Sequence, residues 1–250
     1  MRPIRWYLKG IFPVKFTLSM YSVFLLLEWI ILNYSPSRSS GVLGFVDISV
    51  LLVNPFILLS SFLHVYRSKE TTLFELSLLS SWGGIALART VSALLNVLAF
   101  WCLQAVFIVL VTEPKVMTSE SFLVLLSPDA PLWLVPTSLN FFVNYITLGL
   151  LISLMSNRTS SLLLGAFVFF FMPISVLILI GSYQQNGIEL SGPMAYFAYF
   201  MNPESTYLFR LQYPNLVDLS LTQGFVASMI ISTVLALVYY LAFTRLQFKP

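Results

Sequence analysis

Residues 160–182, SSLLLGAFVFFFMPISVLILIGS, contain no charged side chain and only serine for polarity. A stretch of this length meets the roughly 20 residues an α-helix needs to cross a hydrocarbon core. Five further runs share the pattern, at about 17–33, 43–64, 86–111, 132–155 and 223–243. Backbone groups in lipid must be paired within the segment, and long, uniformly apolar runs achieve that as helices. The alternation of lipid-facing and lumen-facing residues that marks a membrane barrel is absent. The chain therefore reads as an all-α membrane protein with six transmembrane helices in a single membrane domain, residues 1–250. Only 9% of the side chains are charged, against about 25% in soluble domains, which is too few to build a soluble surface.

Charge placement sets the expected topology. Of the 13 Lys and Arg, ten fall on one side of a six-span arrangement: Arg2, Arg5, Lys9, Lys15, Arg67, Lys69, Arg89, Arg158, Arg245 and Lys249. Arg38, Lys115 and Arg210 fall on the other. The excess marks the cytoplasmic face, so both termini are expected inside a cytoplasmic (inner) membrane. Glu113, Glu120, Asp129, Glu189, Glu204 and Asp218 then lie outside. The net charge of +3 is spread over the ends of the apolar runs rather than gathered in a patch, which speaks against a nucleic-acid partner. Cys102, the one cysteine, cannot form a disulfide within the chain and reads as a small packing residue.

Two segments outside the spans are patterned. In residues 1–16, Ile4, Tyr7, Leu8 and Ile11 recur at helical spacing while Arg2, Arg5 and Lys9 occupy another face, as in a helix lying in the headgroup plane. The competing reading is a secretory signal peptide, which the long basic region and Glu28 fit poorly. Residues 183–222 hold Tyr196, Phe197, Tyr199, Phe200, Tyr207, Phe209 and Tyr213, a composition suited to the membrane interface. Pro193, Pro203 and Pro214 divide them into pieces too short to span. One or two re-entrant helices in the outer leaflet are expected there.

Residues 68–89, SKETTLFELSLLSSWGGIALAR, interrupt the apolar pattern. Thr72-Leu73-Phe74-Glu75 fits a capping box, in which the Thr side chain accepts from the Glu75 backbone N–H and the Glu75 carboxylate reaches back. A helix of about ten residues starting at Leu73 and broken at Gly83-Gly84 is expected on the cytoplasmic side. By itself this describes a capped helix on the membrane surface as well as it describes a docking element.

Taken together, the basic ends, six spans, amphipathic entry helix, short polar helix and re-entrant outer segment resemble the permease subunits of type-2 ATP-binding cassette (ABC) exporters. In those permeases the first cytoplasmic loop carries a Glu, a Gly-Thr-Leu-Glu-like stretch, a Leu-rich turn and an Ile-Leu-x-Gly-Lys-like run. Glu70, Thr72-Leu73, Glu75, Leu76, Leu78-Leu79 and Ile85-Ala86-Leu87-Ala88-Arg89 look similar. Thr71 stands where the family has Gly, and its Pro and Arg after the Leu-rich turn have no counterpart between Leu79 and Trp82. The likeness continues in 148–167, in FMNPESTYLFRL (200–211) and in the basic tail FTRLQFKP.

What the resemblance implies is a chain without enzymatic activity, coupled to a separate dimeric ABC ATPase that carries ATP and magnesium. No GxxxxGK[ST] occurs in this sequence. The short helix becomes a coupling helix: Leu73 and Leu76 supply an apolar anchor, Thr72 and Glu75 stiffen it, Glu70 and Glu75 meet basic groups on the motor, and Gly83-Gly84 form a hinge. A second permease copy, identical or related, completes the pathway among membrane lipids, with room for an accessory protein on the outer side. The family's cargoes are drugs, peptides, lipids and polysaccharides.

Polar residues within the spans are the candidates for lining a pathway: Glu28, Asn54, Gln104, Asn140 and Asn144. A charge at mid-bilayer is costly, so Glu28 faces protein or water, or snorkels to the nearby outer surface. The amides equally suit hydrogen bonds between helices. Asn54-Pro55 and Pro173 are expected to kink their spans. His64, the single histidine, has no neighbouring ligands in sequence for a metal. Asn157-Arg158-Thr159 matches a glycosylation acceptor but is expected on the cytoplasmic side. An embedded enzyme is disfavoured, because neither HExxH nor GxSxG occurs. An ion-coupled secondary transporter, and a subunit that passes force to an outer partner without transport, are the competing functions.

Overall fold

In the computed structural model the described residues are 69–79, 81–112, 130–155 and 158–245, with Ser19, Ser22, Val23, Leu26 and Ile30 of the first apolar run, which are helical and exposed. The rest of the N-terminal region, including the interfacial helix, Glu28, Asn54-Pro55, the second run and His64, lies outside them, as do Asn157 and the tail beyond Arg245.

The described chain is helical, with one isolated parallel bridge, Leu190 to Val217, and no strand among the described residues. α1 (Lys69–Leu79) precedes α2 (Trp82–Thr112) and α3 (Ala130–Ile152). α4 (Arg158–Ala166) continues through a π-helical turn (Phe167–Phe171) into α5 (Met172–Gln185). Two short helices, α6 (Gly192–Met201) and α7 (Pro203–Gln212), come before α8 (Leu221–Arg245). Among the described residues three helical stretches are long and apolar enough to cross a membrane: Leu132–Ile152, Thr159–Gln185 and Leu221–Arg245. The chain is thus consistent with an all-α membrane protein, and α2 covers the third apolar run.

Side-chain contacts fix the directions of the long helices. Asn140 reaches Phe225 and Asn144 reaches Ser228 and Ser232, so α3 and α8 run parallel. Trp82 meets Phe243, so α2 runs against α8. The Ser161 hydroxyl donates to the Ile152 carbonyl at 3.0 Å, which turns α4 back beside the end of α3. Consequently α1, the α3–α4 connection and Arg245 share one end of the helix set, whereas α6 and α7 share the other.

α3 is the central element: 67% of its span is buried, against 28% and 17% for the Thr159–Gln185 and α8 spans. It is also the span with the most buried polar groups, Thr137, Ser138, Asn140, Asn144 and Thr147. In lipid the two go together, since buried polar groups must find their hydrogen bonds in the surrounding protein. α8 instead turns Val226, Ile230, Val234, Leu237 and Leu241 outward. Cys102 is likewise exposed on α2, so the expectation of a packed cysteine does not hold; small size did not bring it inside because an apolar exterior exacts no cost from it.

Two prolines are absorbed locally. Pro173 follows directly on the π turn, whose wider ladder accommodates a residue that lacks an N–H and crowds the preceding carbonyl. Pro136 lies inside α3. Around it the Thr137 hydroxyl donates to Trp133 O at 2.8 Å, and the Trp101 indole donates to Val135 O at 3.2 Å.

Candidate functional site

α1 starts at Lys69, earlier than the capping box places it, and ends at Leu79. Thr72 is therefore inside the helix and not its N-cap. The break that follows falls at Ser81, ahead of the glycines. Ser81 explains the position: its hydroxyl accepts from the Gly84 backbone N–H at 3.0 Å and its carbonyl accepts from Ile85 N–H at 3.2 Å. That is the geometry of an N-cap, and it places Gly83 and Gly84 in the first turn of α2. A reciprocal capping box does occur, but at Ser220 and Gln223, where each side chain accepts from the other's backbone N–H.

The faces of α1 differ sharply. Leu73 and Phe74 are 48% and 52% exposed, whereas Leu76 and Leu79 pack against the core that contains Ile85, Phe142, Tyr239 and Phe243. Glu75 is fully buried. Arg89, on α2, donates to Glu75 Oε2 from Nε at 3.0 Å and from Nη2 at 2.8 Å. Hence Glu75 is paired inside the chain with Arg89, not presented outward. Such a pair in a dry environment holds because both charges are matched; neither ion alone is tolerable there.

Arg89 has a second neighbour. Its guanidinium carbon lies 5.3 Å from the centroid of the Phe243 ring on α8, a cation–π distance. Phe243 also meets Trp82 edge-on at 6.0 Å and Tyr239 at 5.7 Å. Residues from α1, the start of α2 and the end of α8 thus form one junction. Neither Arg89 nor Phe243 was marked by sequence reasoning as part of a site. In the sequence Arg89 stands as a topological cation and as the end of the Ile85–Arg89 run, and its separation of 14 residues from Glu75, across a helix break, does not announce a pair.

A second polar centre lies within the helix set. Asn144 donates through Nδ2 to Phe200 O at 2.7 Å, and its Oδ1 accepts from Ser228 and Ser232, both at 2.8 Å. Tyr145 donates to Met201 O at 2.8 Å. The carbonyls at the end of α6, left without partners by the helix itself, are therefore satisfied by α3. Asn202 closes the same corner: its Nδ2 donates to Pro173 O at 3.2 Å and its Oδ1 accepts from Ser205 N–H at 3.1 Å, capping α7.

Of the expected pathway residues, Asn140 and Asn144 are both buried and bonded between helices, Asn140 to Phe225 O at 3.4 Å. Gln104 is on α2; its side chain, like those of Glu70 and Thr72, is outside the described residues. Among the described residues no group of His, Cys, Asp and Glu is arranged to hold a metal ion.

Comparison with family models, with curated proteins and with solved structures gave no match for this chain.

Proposed function

We propose that this chain is the permease subunit of an ATP-driven exporter of the type-2 ABC kind, with α1 as its coupling helix. The observation that carries the reading is the two-sided character of α1. Inward, Leu76, Leu79 and Glu75 seat it on the core; outward, Leu73 and Phe74 remain exposed at the end of the helix set shared with Arg245. Two adjacent large apolar residues facing away from their own protein mark a surface that meets a partner or the membrane, here assigned to the partner. The anchor for the motor is then Leu73 with Phe74, and Leu76 belongs to the seat.

The finer architecture follows from the same reading. Six spans with both termini cytoplasmic, an interfacial entry helix, and α6 and α7 as the re-entrant outer segment make one half of a twelve-span pathway. ATP and magnesium are bound by the partner ATPase, and the second half is another permease copy. Apolar spans with few polar groups favour an amphipathic or lipid-like cargo among the family's drugs, peptides, lipids and polysaccharides.

The test is co-purification with an ABC ATPase subunit from the same genome, together with its ATP hydrolysis. Leu73→Asp and Phe74→Asp are expected to abolish association and stimulated hydrolysis while the permease remains folded. Full association and stimulation in both variants would remove the coupling assignment.

A further inference from the structure

The connection of α1 to the rest of the protein has an unusual route. α1 packs chiefly on α2, with which it is continuous in sequence, so by itself it would be a flap hinged at Ser81. Part of its link to α8 runs through the Arg89 side chain, beside the packing of Leu76 and Leu79 on the core that holds Tyr239 and Phe243. The edge of the Arg89 guanidinium is committed to Glu75 by two hydrogen bonds, and the face lies over Phe243. A planar, delocalised cation can hold a carboxylate and an aromatic ring at once, which an ammonium cannot do as well. All three groups are almost wholly buried, where the attraction is little screened.

We infer that Arg89 is a positioning residue that fastens α1 to the C-terminal end of α8, so that the two move as one body. Displacement of α1 is then delivered to the far end of the chain, at Phe243, as well as to α2. Trp82, edge-on to Phe243, fixes the ring against which the guanidinium lies. This goes beyond the identity of any motor: the fastening belongs to the chain itself, whatever pushes α1.

The experiment is pulsed electron resonance on the full chain in nanodiscs, with no ATPase present, so that its failure is separable from failure of the coupling reading. Spin labels are placed at Leu73 and Leu241, and in a reference set at Leu73 and Leu98, all exposed positions, on a Cys102→Ser background. Phe243→Leu keeps an apolar side chain but removes the ring. The Leu73–Leu241 distance distribution is expected to widen about twofold while the Leu73–Leu98 distribution stays unchanged, the signature of a local fastening lost. Arg89→Lys retains a charge for Glu75 and gives up the planar face; it carries the same expectation and keeps the test intact should the Phe243 variant misfold. Unchanged Leu73–Leu241 width, or equal widening of both distributions, would overturn the inference.

Discussion

Two polar centres among the described residues are built on different chemistry. At one end, Glu75 and Arg89 form an ion pair between a short helix and a long one, covered by Phe243. In the interior, Asn144 gathers two serine hydroxyls and a backbone carbonyl into a neutral, hydrogen-bonded knot that ties α3 to α6 and α8. A neutral knot has several partners and survives the weakening of any one. An ion pair has a strict requirement for its partner, because either charge left alone in a dry site is expelled. The neutral centre therefore reads as architecture, and the ionic centre as an attachment that is secure when complete and releases as a unit when broken.

The largest expected effect tests that contrast directly. Arg89→Met leaves Glu75 buried without its cation, a loss of about 3–5 kcal/mol when one member of a buried pair is removed. Since α1 can swing away, the loss should appear as local opening: hydrogen exchange accelerates across Lys69–Leu79 while α3 and α8 stay protected. Removing both charges, with Glu75→Leu and Arg89→Met together, should restore protection to within about 1 kcal/mol, because an apolar pair is acceptable in the same place. Uniform acceleration over all helices in the single variant would break the distinction between attachment and architecture.

Next in size is Asn144→Leu. It strands Ser228, Ser232 and the Phe200 carbonyl, at an expected cost of about 2 kcal/mol, given roughly 0.6 kcal/mol for an average interhelical hydrogen bond in membranes and more for a buried group left unmatched. Unlike the Arg89 change, this one should lower global stability, read as a fall in the midpoint of unfolding in a mixed detergent titration, with α1 no more affected than the rest.

The contrast also explains what the sequence disclosed. Long apolar runs made α2, α3, the α4–α5 run and α8 legible to within a few residues, because lipid leaves helix as the only solution. One or two short helices were expected in 183–222 from Pro193, Pro203 and Pro214; there are two, with Pro193 and Pro203 each near a helix start. Local capping was misread: Thr72-x-x-Glu75 and Ser220-x-x-Gln223 are the same pattern, yet only the second is a cap. At the first, Arg89 offered Glu75 a stronger partner than a backbone N–H, and that partner is distant in sequence. The same limit applies to Asn144. Its residue type announced an interhelical bond, but the partners Phe200, Ser228 and Ser232 are set by the packing of α6 and α8.

Two glycines give the finest comparison, one in each region. A Cβ at Gly224 would stand 2.8 Å from ring carbons of Tyr199, which is buried in a core with Val176, Ile180 and Leu219 and has nowhere to go. Gly224→Ala should accordingly destabilise the interior by about 1–2 kcal/mol, the usual cost of overpacking. A Cβ at Gly83 would approach only the Tyr240 hydroxyl, at 2.9 Å, the free tip of an exposed side chain that can turn aside. Gly83 is also within the first turn of α2, where alanine is the better helix former, so Gly83→Ala should change stability by less than about 1 kcal/mol in either direction. Its functional reading is sharper. Under the proposed coupling role, bending at Ser81 lets ATPase stimulation survive Gly83→Ala, whereas a hinge at Gly83 itself makes stimulated hydrolysis fall in a variant whose unfolding midpoint has hardly moved.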